Sequence, residues 1–387
     1  MSIFLDSTDW SFPVPICYGP KRIEELPAIC IKHDIQRPLI VTDSGSATLP
    51  FIIKALKSLN SSGLKSSVFS GISPNPLDTE ILTGKSVYKD GKHDAVIAIG
   101  GGSGMDGGKA ISLMANNNYS LWDFDNDKAE IKDIKKFPPL ICIPTTSGTG
   151  AETESTAMVT NTNLEMKLCV WHPNQKPIAT ILDPELTLEL PKNLTAWTGV
   201  DALVHAIEAY SINSLYSVAD AMAIEALTLI GRNLRTVVKS PHNLEARGGM
   251  LIGSCLAGIS FQKGLGLVHA VSHMIGAIYN SQHGLTNAIL LPPVLKFNQN
   301  TINHKVEIMN HATFKKTEGF DDFYSNICNL LDDLEIDRGL NSLGVDANRV
   351  SEIALKASKD SAASTNPRQA TIPQLEILIS DSLVKAR

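Results

Sequence analysis

Apolar residues in the first half of the chain come in short unbroken runs, set apart by polar stretches with helical spacing. The runs are Pro38-Leu-Ile-Val-Thr42, Lys65 to Phe69, Asp94-Ala-Val-Ile-Ala-Ile99, Pro139-Leu-Ile-Cys-Ile-Pro144 and Ile178-Ala-Thr-Ile-Leu182. A continuous run, rather than strict alternation, suits a parallel strand covered on both faces. Between the runs, Phe51, Ile52, Leu56 and Leu59 fall roughly at helix spacing, and Asp78 opens a second helix after the Pro74-Asn-Pro76 break. Strands alternating with helices predict βαβ units around a parallel sheet. Ala157 to Val170 differs, since two alternating runs flank Asn161-Thr-Asn163, and this predicts a β-hairpin.

From Leu194 onward the strand signal stops. Val218 to Val238, Ala246 to Phe261 and Val350 to Lys356 carry apolar residues three and four apart, so the rest of the chain is expected to be helical. Gly264, Gly284 and Pro292-Pro293 are expected to punctuate those helices. The change of period places a boundary near Pro191, giving an α/β domain over 1–190 and an all-helical domain over 191–387. Two domains also suit 387 residues, which exceed what one hydrophobic core usually supports.

Composition acts mainly by exclusion. The apolar fraction of 43% and charged fraction of 19% are those of a globular protein, and a net charge of −6 with no basic, aromatic-interleaved run argues against a nucleic-acid partner. No apolar stretch reaches the roughly 20 residues of a membrane span. The N-terminus shows no secretory pattern, and six scattered cysteines form no C-x-x-C. A cytoplasmic two-domain protein is the expectation.

Chemistry enters at Gly199-Val-Asp-Ala-Leu-Val-His-Ala-Ile-Glu208 and Gly266-Leu-Val-His-Ala-Val-Ser-His273, with His283-Gly284 shortly after. Residues four apart share a helix face, so Asp201 with His205, and His269 with His273, can each point two groups into one cavity. With His283 this makes five candidate ligands that spacing cannot rank. A carboxylate and several imidazoles without sulfur form a donor set for a divalent metal such as iron or zinc.

The strand ending at Ile99 runs into Gly100-Gly-Gly-Ser-Gly-Met-Asp-Gly-Gly-Lys109, with a helix expected from Ala110 to Ala115. A glycine-rich turn between strand and helix lets backbone N–H groups approach a pyrophosphate, and Gly102 to Gly107 fits G-x-G-x-x-G. Thr145-Thr-Ser-Gly-Thr-Gly150 is a second loop of this kind after the next strand. For the ribose hydroxyls, Asp43, Asp123 and Asp125 are all candidates by spacing.

Together these motifs resemble the iron-containing (group III) alcohol dehydrogenase family over nearly the whole chain. The marks are Gly100-Gly-Gly-Ser-x-x-Asp106-x-x-Lys109, Pro144-Thr-Thr-Ser-Gly-Thr149, Asp183-Pro-Glu-Leu-Thr187 and Gly199-x-Asp201-Ala-x-x-His205-Ala-x-Glu208. Gly266-Leu-Val-His269-Ala-x-x-His273, His283-Gly284, Asn287-Ala-Ile-Leu-Leu-Pro292 and Asn366-Pro-Arg368 complete the series. The resemblance implies a Rossmann-like α/β dinucleotide-binding domain and an all-helical metal-binding domain, the dehydroquinate synthase-like architecture, with the active site in the cleft between them. It implies Asp201, His205, His269 and His283 as ligands of Fe²⁺, or of Zn²⁺. His273 then handles substrate. Glu208, read on its own, is expected to be a structural partner in its helix rather than a ligand. The resemblance places NAD(H), in preference to NADP, on Asp43, Asn75, Gly101, Gly102, Ser103, Asp106, Thr145, Thr146, Thr149, Lys167 and Leu186, which selects Asp43 over Asp123 and Asp125. A homodimer is implied as well.

The implied reaction is reversible hydride transfer between NAD and a small primary alcohol, diol or hydroxy acid, with the metal as Lewis acid and His273 relaying the alcohol's proton. Two departures from the family pattern stand out: Met274 replaces a frequent proline, and Ser281-Gln282 replaces an apolar residue and proline. A glycerol-type polyol dehydrogenase differs only in substrate. A dehydroquinate synthase-like lyase needs several cations at its site, and Arg232, Arg235, Lys239, Arg247 and Lys263 are not adjacent to the ligands.

Overall fold

The structure, a computed structural model, describes residues 14 to 384. Among these residues the chain forms two compact units. One comprises residues 14 to 146 and Ala151–Glu189; the other comprises Ser147–Gly150 and residues 190 to 384.

The first unit is built on eight strands: β1 (Ile16–Tyr18), β2 (Pro38–Asp43), β3 (Ser67–Ile72), β4 (Ala95–Gly100), β5 (Leu140–Pro144), β6 (Thr156–Asn161), β7 (Met166–Trp171) and β8 (Ala179–Leu182). Six of them form one sheet in the order β1-β8-β5-β4-β2-β3, with every recorded pairing parallel. β6 and β7 form the expected antiparallel hairpin. The helices are α1 (Leu26–Lys32), α2 (Pro50–Ser61), α3 (Asp78–Asp90) and α4 (Gly102–Ala115).

The unbroken apolar runs have a direct cause, because successive side chains of a strand point to opposite faces and here both faces are covered. Leu39, Val41, Val96, Ala98, Leu140 and Cys142 join a core with Ile81 of α3 and Ile111 of α4. Their neighbours Ile40, Ala95, Ile97, Ile99, Ile141 and Ile143 join a second core with Leu26 of α1 and Ile52 of α2. The carboxyl ends of β2 and β4 lie side by side while their onward connections leave in opposite directions, toward β3 and β5. That arrangement opens a crevice where ligands of such sheets bind.

Three expectations for this unit change. The run at Lys65 to Phe69 forms its strand later, at Ser67–Ile72, and β1 adds a short edge strand that three residues were too few to signal. The helix expected from Ala110 begins at Gly102. Glycine opposes helix by its own propensity, but a Cβ on Gly104 would press on the Ile99 carbonyl and the β2 backbone, and one on Gly108 would overlap Ala98. The glycines let the first turns of α4 lie directly on the sheet, and packing overrides propensity.

The second unit contains α5 (Lys192–Ser211), α6 (Ser217–Lys239), α7 (Leu244–Ser260), α8 (Leu267–Tyr279), α9 (His283–Phe314), α10 (Phe320–Asp333), α11 (Val350–Ala357), α12 (Ser361–Thr365) and α13 (Ile372–Asp381). α6 is amphipathic, burying Ala219, Ala223, Leu227, Ile230 and Leu234 along one face. α5 instead is buried almost continuously from Thr198 to Ala209 and packs against α6, α7 and α9. A helix enclosed on all sides can hold polar groups only where partners are built for them. No single described helix is long and apolar enough to cross a membrane.

Gly284 falls at the start of α9, just after the break that ends α8, but Pro292-Pro293 do not punctuate as expected, because α9 runs through both for 32 residues. A Cβ on Gly284 would collide with the backbone carbonyl of Trp197. This glycine therefore sets how closely α9 approaches α5.

Candidate metal centre

Three helices bring polar side chains to one buried point. Asp201, His205 and Glu208 come from the enclosed middle of α5, His269 and His273 from the first two turns of α8, and His283 and Asn287 from the first turns of α9. Ligand atoms of Asp201, His205, His269 and His283 all lie within 4.8 Å of one another. His269 Nε2 is 3.8 Å and His283 Nε2 3.7 Å from Asp201 Oδ1, and the His205 and His269 rings stack with centroids 4.5 Å apart.

The surrounding hydrogen bonds fix which atoms face inward. The Gly266 and Val268 N–H groups, at the exposed-donor end of α8, donate to Glu208 Oε2 and Oε1 at 2.9 and 2.8 Å. His269 Nδ1–H donates to the same carboxylate at 2.6 Å. With Nδ1 protonated, His269 Nε2 is left as a bare acceptor facing Asp201. Asn366 Oδ1 accepts from Leu267 N–H at 3.1 Å, completing the cap of α8.

A divalent cation fits this donor set. The Asn287 amide nitrogen donates to Asp201 Oδ1 at 2.6 Å and lies 3.2 Å from His269 Nε2 and 3.1 Å from His283 Nε2. One amide has two hydrogens, so it cannot satisfy three converging acceptors, and a cation balances the excess of lone pairs. Burial lowers His205 to about 4, with Asp201 pulling the other way, so its imidazole is neutral near pH 7 as a metal ligand must be.

His273 is not part of this cluster. Its Nδ1 donates to Asp360 Oδ2 at 2.9 Å, and its ring stacks on His283 with centroids 5.5 Å apart and planes 11° apart. The less family-like Gln282 caps α9, its Oε1 accepting from Leu285 N–H at 2.6 Å, while Ser281 Oγ bonds Thr286 Oγ1 at 2.9 Å. Met274 is fully buried.

The dinucleotide candidates of the first unit cluster at the carboxyl ends of its strands. Asp43 ends β2, with its carboxylate accepting from Ser46 N–H at 2.9 Å and Ser46 O–H at 2.8 Å. Gly101, Gly102 and Ser103 start α4, and Ser103 Oγ donates to the Pro74 carbonyl at 2.9 Å. Thr145 and Thr146 follow β5, Thr145 N–H donating to Gly100 O at 2.9 Å. Leu186 follows β8. Lys167, on β7, donates to Asn75 Oδ1 at 3.3 Å. Burial raises Asp106 to about 6 against the pull of Lys109 and Lys167. Thr149 belongs to the second unit. Asp123 and Asp125 lie elsewhere; Asp123 accepts from Ser120 N–H and Asp125 from Asp127 N–H, so both serve local turns.

A family model described as iron-containing alcohol dehydrogenase matches residues 13–184, and one for the C-terminal part of the Fe-containing alcohol dehydrogenase family matches 195–383. The chain belongs to this family. It is 34% identical to the 1,3-propanediol dehydrogenase of Citrobacter freundii over 371 residues, covering 93% of this chain and 95% of that one. It is 32% identical to the NAD-dependent methanol dehydrogenase of Bacillus methanolicus over 383 residues, covering 97% and 100%. The solved alcohol dehydrogenase from Oenococcus oeni superposes with a TM-score of 0.92 at 30% identity, covering 97% and 100%. The expected fold class and enzyme class both hold: this is an oxidoreductase of the alcohol dehydrogenase type.

Two residues of this dehydrogenase's site carried no role in the sequence. Asn287 stood inside a motif, four residues after His283 and so on the same face of α9, but nothing local tied its amide to Asp201 and His269. Asp360 lies 87 residues from His273 and no spacing rule connects them. Glu208 was legible, because its place seven after Asp201 and three after His205 puts it on the same face of α5.

Proposed function

We infer that this family member interconverts a small primary alcohol or diol and its aldehyde with NAD(H), at a divalent-metal centre formed by Asp201, His205, His269 and His283. The convergence of these four donors, three of them on buried residues, within 4.8 Å is the observation that carries the reading. Iron is the proposed metal, with zinc suited to the same nitrogen and oxygen donors. When bound, the metal supplies Lewis acidity to the substrate oxygen, and NAD supplies the hydride acceptor.

The chain's own groups have separate tasks. Asp201 contributes the one negative charge among the four proposed ligands, and Glu208 holds His269 with Nε2 inward. His273, outside the cluster but stacked on His283, is the proposed acceptor of the alcohol's proton. The 191–387 domain is proposed as the catalytic one, and 1–190 as the dinucleotide-binding one. Six free cysteines support a reducing compartment, and the cytoplasm is the proposed location.

The test is turnover with short alcohols, diols and aldehydes, followed by NADH absorbance after chelation and anaerobic addition of Fe²⁺ or Zn²⁺. Chelation is expected to abolish turnover and the metal to restore it; full turnover in metal-free protein overturns the reading.

Asp43 is proposed to bind the adenosine ribose hydroxyls at the β2–β4 crevice and to repel the 2′-phosphate of NADP. Asp43→Ala is expected to shift the ratio of kcat/KM for NADP to that for NAD upward by roughly tenfold or more, equivalent to about 1.4 kcal/mol. An unchanged ratio removes Asp43 from cofactor selection.

A further inference from the structure

We propose that Asp360 is the positioning residue that holds His273 in the tautomer able to accept the substrate's proton, so that the working unit is an Asp–His pair. This rests on the reading of His273 as the proton acceptor and goes beyond it by naming the group that orients the ring. The Asp360 carboxylate is held at both oxygens. Oδ1 accepts from Ala362 N–H at 2.8 Å as the cap of α12, and Oδ2 accepts from His273 Nδ1–H at 2.9 Å. Both residues are buried, at 9% and 6% exposure, so water does not compete freely for the ring nitrogen. With the proton on Nδ1, the lone pair sits on Nε2, and that atom makes no hydrogen bond among the described residues. The same short segment anchors α8 a second time, through Asn366 to Leu267 N–H, and Thr365 Oγ1 donates to the Leu265 carbonyl. Residues 360 to 366 therefore set both the helix that carries His273 and the tautomer of its ring.

Capping α12 is the competing role for Asp360, and Asp360→Asn separates the two. Asparagine caps a helix as well as aspartate does. Its Oδ1 keeps the bond to Ala362 N–H, while its amide Nδ2 faces His273 Nδ1. An amide there donates, which forces Nδ1 to accept and moves the imidazole proton to Nε2, the atom that must be bare. A pure cap predicts no change, whereas the pair predicts a fall in kcat of about 10- to 100-fold, the usual loss when an orienting partner is changed. KM, metal content and thermal midpoint are expected to stay near wild type. ¹⁵N spectra of histidine-labelled, metal-free and zinc-loaded protein, with the His273 signals assigned from H273A, are expected to show the Nδ1–H form in wild type and the Nε2–H form in D360N. In the H273A background, D360N is expected to cost nothing further.

Unchanged kcat in D360N, an unchanged tautomer, or additive losses in the double variant overturns the pair. Full turnover in H273A removes the proton-acceptor reading and the pair with it. Turnover lost in H273A but kept in D360N overturns Asp360 alone.

Discussion

His269→Ala is expected to yield protein without its metal and with turnover reduced by about a thousandfold, the rate equivalent of roughly 4 kcal/mol. His269 is the proposed ligand whose surroundings are most completely built. It is 1% exposed, Glu208 fixes its Nδ1, and its Nε2 faces Asp201 and the Asn287 amide. Alanine removes one of four donors from a site where no described side chain takes its place, and it strands the Glu208 oxygen that faced the ring. His273→Ala is the informative companion, since His273 is tied to Asp360 and stands outside the cluster. That variant is expected to keep its metal while turnover falls. Elemental analysis after gel filtration, paired with NADH absorbance, measures both; stoichiometric metal in His269→Ala would sink the proposed ligand set.

Glu208→Ala carries the second large effect, and it acts on stability and metal affinity together. The carboxylate serves three buried donors: the N–H groups of Gly266 and Val268, and His269 Nδ1. A stranded buried donor costs about 1–3 kcal/mol, so losing this acceptor is expected to destabilise the metal-free protein by roughly 3 kcal/mol. Loss of the orienting partner of a proposed ligand is expected to weaken metal binding by about 10- to 100-fold. Glu208→Gln keeps one acceptor oxygen and is expected to fall between the two. Urea unfolding of metal-free protein gives the first quantity, and competition with a chelator gives the second. A midpoint and an affinity both equal to wild type would show that Glu208 supports neither α8 nor His269.

The way these effects are wired explains which parts of the protein were legible beforehand. Elements were legible where packing on both sides left a signature in one local window. The β4 run, Ala95 to Gly100, is fully buried because cores cover both faces of the sheet, and its residues read as an uninterrupted apolar string. The start of α4 was hidden because glycine there answers to the neighbouring strands, not to its own helix. α9 was hidden as one helix because Pro292-Pro293 lie inside it, where local sequence reads proline as a break.

By itself, the sequence determined the alternating α/β half, the helical half, the motifs that carry the family resemblance, and the Asp201/His205 and His269/His273 pairs. All of these follow from local periodicity or from short spacings along one helix. Only the tertiary structure decided that His269 and His283 come within reach of Asp201 while His273 turns to Asp360. It also decided that Asn287 sits among three candidate ligands, and that Asp43 borders the crevice beside β4. Apart from Asn287 and His283, four apart on α9, these are contacts between separate segments of the chain, and a hydrogen bond between such segments depends on how helices and strands pack, which no window of neighbouring residues records.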